Sequence, residues 1–117
     1  MHAAANLSAA SPADPVAALA EAERQAFECF DAACRLSDPV ALGREPTGQE
    51  DADLDAASTA QFSALLALMS ATPTTTAGLE AMIDRFCDRE LENVPAPVDS
   101  LLFELFDSVR RFAAARA

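Results

Sequence analysis

The chain has 117 residues with 19 acids, eight arginines, no lysine and one histidine, for a net charge of -11. An excess of carboxylates this large repels nucleic acid and anionic lipid, so any charged partner is expected to be basic. Alanine supplies much of the 51% hydrophobic fraction, Gly numbers only 3, and Trp and Tyr are absent. This excludes a β-sandwich, a doubly wound nucleotide-binding fold and a basic duplex-binding module, and leaves helices packed closely around a thin core.

Residues 1–13 are Ala, Ser, Asn and Pro without periodicity. They lack the basic flank and apolar block of a signal peptide, and a flexible tail is expected. Order should begin at Asp14-Pro15, because Asp accepts a bond from an orphan N–H and proline at the first helical position loses none. From there Val16, Leu19, Ala20, Phe27, Phe30, Ala33 and Cys34 share one face, predicting an amphipathic helix of about 23 residues that stops before Pro39. Pro39 to Thr47 reads as a connection. Thr47 and Glu50 have the spacing of a capping box, opening a second helix. Its apolar residues Leu54, Ala57, Phe62, Ala64, Leu65, Leu66, Leu68 and Met69 spread widely, so its second half should be the most enclosed element.

After a proline-threonine turn over residues 71–76, Thr74 or Thr75 can cap a third helix. Its apolar rhythm is Leu79, Met82, Ile83, Phe86 and Leu91, with Glu80, Asp84, Arg85, Asp88, Arg89 and Glu92 mostly outward. Residues 93–97 break it. A fourth helix is expected from Asp99, with Val98 and Phe103 placed for a hydrophobic staple and a stripe of Leu101, Leu102, Leu105, Phe106, Val109 and Phe112. Arg110, Arg111 and Arg116 complement its dipole. The expected architecture is all-α: residues 14–117 as one domain, a four-helix up-down bundle. The apolar content is small enough that a homodimer would add needed burial.

Four constellations could carry chemistry. Asp51, Asp53 and Asp55 invite a calcium loop, but its sixth and twelfth positions would hold Ala56 and Phe62 in place of Gly and Glu. Alternate helical residues also diverge by about 200°, so the three carboxylates read as an acidic first turn favoured by the helix dipole. Glu45, Glu50, Asp51, Asp53 and Asp55, with Asp84, Asp88 and Glu92, form a candidate interaction face that could imitate a phosphate backbone. Glu23 is the one acid inside the first helix's apolar arc; it is expected at the bundle rim or paired with an arginine of another helix. Gln61 reads as a hydrogen-bonded interior residue. Cys29 and Cys34 are about 140° apart on a helix and cannot chelate one ion, and with Cys87 they are expected to be small buried hydrophobes. No metal set, cofactor loop or nucleophile–base pair is legible.

The segment Ala71-Thr72-Pro73-Thr74-Thr75-Thr76-Ala77-Gly78-Leu79-Glu80-Ala81, with Phe27-x-x-Phe30-Asp31-Ala32-Ala33-Cys34 upstream, resembles a group of short, Ala-rich, uncharacterised helical proteins of high-GC bacteria. The resemblance implies helical architecture and brings no activity, cofactor or binding residue with it. In physical terms Pro73 stops one helix, the threonines cap the next and Gly78 permits close backbone approach.

The expected function is a small, acidic, non-enzymatic protein–protein interaction or oligomerisation module of the cytoplasm, with no direct contact to nucleic acid or membrane. Phe103, Phe106 and Phe112 would stand in for the missing Trp and Tyr as interface anchors. The alternative is a nucleic-acid mimic that inhibits a basic nucleic-acid-binding protein. An enzyme would have to use Glu23 as an isolated buried acid with a raised pKa.

Overall fold

The structure, a computed structural model, describes residues 14–91 and 98–116. These form five helices: α1 (Pro15–Leu36), α2 (Pro39–Leu42), α3 (Gly48–Met69), α4 (Thr76–Leu91) and α5 (Val98–Arg116). No strand occurs among the described residues. The expected tail at residues 1–13 and the expected break at residues 93–97 lie outside them.

Helix α1 begins as its sequence requires. Asp14 Oδ1 accepts the Val16 N–H at 3.0 Å, and Pro15 takes the first helical position. The helix ends where the Ser37 hydroxyl donates to the Ala33 carbonyl at 2.8 Å. The connection expected over Pro39–Thr47 instead contains the one-turn helix α2. Its cause is a second Asp-Pro pair: Asp38 Oδ1 accepts the Val40 N–H at 3.1 Å, repeating the cap of α1. Gly43, at φ 70°, then ends the turn in the left-handed region that favours glycine.

Helix α3 carries both halves of its capping box. The Glu50 N–H donates to Thr47 Oγ1 at 3.1 Å and the Thr47 N–H donates to Glu50 Oε1 at 2.8 Å. Its second half buries Gln61, Leu65, Leu68 and Met69, as the breadth of its apolar stripe required. Helix α4 is capped by Thr75, whose Oγ1 accepts the Gly78 N–H at 2.9 Å. Helix α5 starts at Val98, so Asp99 falls inside the first turn rather than at the cap.

The core is small. Val16, Leu65, Leu68, Met69, Met82, Leu101 and Leu105 form it, with Leu19, Phe62, Phe86 and Val109 among the half-buried residues packed around it. Helix α3 is central, since α1 lies along it most extensively and α5 packs on its carboxyl-terminal half. Helix α4 touches α1, α3 and α5. The buried face of α5 is Leu101, Leu105, Ser108 and Phe112, a strict i, i+4, i+7, i+11 series. Phe106, expected in that stripe, is instead exposed, and so is Phe103.

Candidate functional site

Glu23 is fully buried and sits among the interior residues of three helices. Its Oε1 accepts Arg85 Nε at 3.1 Å and Arg89 Nη2 at 3.0 Å; its Oε2 accepts Arg89 Nε at 2.6 Å and Gln61 Nε2 at 3.2 Å. Arg89 also lays its guanidinium over the Phe27 ring, 3.6 Å from the centroid. Burial by itself pushes the Glu23 carboxyl up, but the hydrogen bond and charge of Arg89, with Gln61 and Arg85, outweigh it and hold the group below its ordinary range. A carboxylate kept ionised and saturated by donors joins α1, α3 and α4; it does not offer a proton. Arg85 and Arg89, expected outward, turn inward. The signal was present, because Arg89 lies seven residues after Met82 and therefore on the same face of α4.

A second polar knot ties the start of α1 to the α3–α4 turn. Asp14 Oδ2 accepts the N–H of Thr74 at 3.1 Å, the N–H of Thr75 at 2.9 Å and the Thr75 hydroxyl at 2.7 Å. These bonds, with the one from Val16, hold its carboxyl below the ordinary value against the opposing effect of burial. From the other side, α5 grips the end of α3: the Ser108 hydroxyl donates to the Met69 carbonyl, and Arg111 Nη2 donates to the Ser70 carbonyl at 3.0 Å. Arg116 Nη2 donates to the Thr74 carbonyl at 3.3 Å. Arg111 and Arg116, expected to serve their own helix dipole, thus satisfy carbonyls at and beyond the end of α3.

The acidic residues are placed less tightly. Arg44 Nη1 and Nη2 clasp Glu50 at 2.9 and 3.0 Å, and this arginine together with the Thr47 N–H brings the Glu50 carboxyl down to about 2. Asp53 accepts Gln49 Nε2 at 2.7 Å. Glu45, Asp51 and Asp55 are exposed, as are Asp84 and Asp88 on α4. Among the described residues no hydrogen bond or ion pair joins the α3 acids to those of α4. Glu92 lies outside the described residues. No three His, Cys, Asp or Glu side chains gather to a metal-sized group among the described residues.

The cysteines correct the expectation of burial: Cys29 and Cys87 are exposed, Cys34 is half-buried, and all three are free. Cys29 falls on the face of α1 opposite Val16 and Phe27, and Cys87 falls to the side of the Met82 stripe, so neither can reach the core.

The remaining feature is the outer face of α5. Phe103 is 76% exposed and Phe106 59%, the two most solvent-open phenylalanines described. With Glu104, Asp107 and Arg110 they line an open groove of about 410 Å³. A second groove of about 360 Å³ lies further along the same helix, between Arg110, Arg111 and Ala114. Two rings held in water in this way each forgo a stabilisation on the order of 1.5–3 kcal/mol that burial would supply. Of the three phenylalanines expected as interface anchors, Phe103 and Phe106 are exposed while Phe112 is buried in the core, and Phe106, expected in the core stripe as well, lies outside it. The true stripe was concealed because Leu102 and Val109, which flank it, are apolar as well.

No protein-family model matches the chain, and no curated protein or solved structure matches it. Among the described residues no helix is long and apolar enough to cross a membrane.

Proposed function

We propose that the chain is a small, acidic, non-enzymatic protein–protein interaction module that works through the outer face of α5. The observation that carries this reading is the exposed pair Phe103 and Phe106 over a groove rimmed by Glu104, Asp107 and Arg110. Aromatic anchors inside a polar rim are the usual composition of an interface centre. The opposite face of α5 supports it too: Leu101, Leu105, Ser108 and Phe112 are buried, so the helix is held rigidly while it displays its aromatics. The same reading takes the four long helices as an up-down bundle, a layout supported by the closed ring of contacts from α1 to α3, α5, α4 and back. Three free thiols fit a reducing compartment, the cytoplasm.

A photoreactive phenylalanine at position 103 tests the reading in the full chain. Protein adducts are expected there and not from the same probe at Val40, which is still more exposed to solvent on α2. Adducts equal at both positions, or absent from position 103, overturn it.

A second reading has its own support. Asp51, Asp55 and Asp84 are exposed and make no ion pair among the described residues, leaving their charge free for a basic partner. As a nucleic-acid mimic, the chain would bind a basic nucleic-acid-binding protein in a complex dissociated by salt and competed by duplex DNA. A partner indifferent to both removes this alternative.

A further inference from the structure

Resting on the interaction reading, we infer that the occupant of the α5 face is a second copy of this chain, its α5 lying antiparallel across a twofold axis. Three observations converge on it. The first is charge. Within α5 the acids Asp99, Glu104 and Asp107 are matched by Arg110, Arg111 and Arg116, so the helix is neutral in a chain of net charge -11. Two copies repel each other over most of their surfaces and least along this helix.

The second is shape. At 3.6 residues per turn, Phe103, Phe106, Asp107, Arg110 and Ala114 fall within about 100° of arc, directly opposite the buried face. Bulky rings stand at the amino-terminal end of this stripe beside the larger groove, and the small Ala114 leaves a shallow, open depression at its carboxyl-terminal end. One helix therefore carries both the projection and the recess. Such self-complementarity is what a twofold contact needs, since each residue i meets j while j meets i.

The third is register. Asp107 pairs within its own helix with Arg110 at 2.9 Å and with Arg111. Seating Phe103 over Ala114 of the second copy sets each Asp107–Arg110 pair against the other in reverse order, so that Asp107 also faces Arg110 across the axis. Phe106 then lies beside the exposed stem of Arg110, whose methylenes and guanidinium plane accept an aromatic ring. A contact confined to one helix sits near the lower limit of about 1,000–1,200 Å² for specific interfaces, so dissociation in the micromolar range is expected.

Sedimentation equilibrium of the full chain over a concentration series tests the dimer, and charge exchange tests its register. D107R alone sets arginine against Arg110, and R110D alone sets aspartate against Asp107; each is expected to weaken dimerisation at least tenfold. An equimolar mixture of the two restores opposite charges at both contacts and should recover the dimer as a heterodimer. F103D, with helicity retained by circular dichroism, should be monomeric. A wild-type chain that stays monomeric to several hundred micromolar overturns the inference while leaving the interaction reading to the position-103 adducts. A dimer that persists in F103D, or singles that the mixture does not rescue, also overturns it, because the contact then lies elsewhere or in another register. A homodimer that persists while position 103 yields no adduct defeats both.

Discussion

Asp14 and Gly78 are 64 residues apart in the chain, yet a Cβ on Gly78 would lie 2.0 Å from the Asp14 Oδ2 atom. The missing side chain is what lets the carboxylate sit at the amino terminus of α4. There Oδ2 collects Thr74 and Thr75 while Oδ1 caps α1, so one residue closes two helices and fixes the angle between them. Glycine inside the first turn of α4 is therefore a packing requirement.

Gly78→Ala is accordingly expected to destabilise the fold by about 1–3 kcal/mol, even though alanine is the better helix former by roughly 1 kcal/mol. Asp14→Ala removes a cap and a tertiary tie and should cost about 1–2 kcal/mol. In the double variant the clash is gone, so the alanine at position 78 should be neutral or stabilising. Urea denaturation of the four proteins as a double-mutant cycle checks this; additive costs would show that the two residues do not communicate.

Glu23→Gln should be the most damaging single polar substitution, at about 3–5 kcal/mol, because it strands the buried Arg89 without a counter-charge. Arg85, at 3.1 Å from Glu23, is partly exposed and can turn to Asp88. Replacing both Glu23 and Arg89 by leucine should recover more than half of the loss, since no charge is then left in the interior. Equilibrium unfolding compares the two, and a double variant less stable than Glu23→Gln would contradict the account.

Acid should unfold the protein with a dependence set by its paired carboxylates. Glu50, clasped by Arg44, and Glu21, bonded first to Arg24 and then to Gln25, are both held at about 2 against an ordinary 4.5. Asp14 and Glu23 are also lowered. A depressed folded-state pKa gives stability that is complete above the unfolded value and is lost as pH falls toward the folded one. Denaturation midpoints should therefore be level from pH 7 to about 5, then fall between about 4.5 and 2. Glu50→Gln should shallow that decline, and a midpoint independent of pH down to 2.5 would contradict it.

The thiols should label in two phases. Cys29 and Cys87 are exposed and should react first with a disulfide reagent at neutral pH, whereas Cys34 is half-buried. Burial, and then the charge of Asp31, push the Cys34 thiol up and reduce its thiolate fraction. Mass spectrometry of partly labelled protein should find two adducts before the third, and Cys34 labelled first would be the contrary result.

Much of this molecule is local physics written in short stretches of chain. The Asp14-Pro15 start, the Thr47–Glu50 capping box, the Thr75 cap and the enclosed end of α3 each follow from residues within one or two turns of one another. The one-turn helix α2 is equally local, with Asp38 as cap, Pro39 at the first position and Gly43 as stop, although two prolines and a glycine between residues 39 and 47 carry the signature of a connection just as well. Glu23's membership of an apolar arc was visible as well, since helical periodicity places a residue on a face whatever its charge.

Which neighbour a face meets is a different question, and only the folded chain answered it. Periodicity measures angle around one axis and carries no information about a second axis, so nothing local paired Glu23 with Arg89 or set Gly78 beneath Asp14. It also could not say that α5 would turn Leu101 and Phe112 inward and leave Phe103 and Phe106 in water. With apolar residues on both sides of that helix, the choice belonged to the partners it packs on: Ser108 and Arg111 bind the carbonyl end of α3, and that grip fixed the rotation.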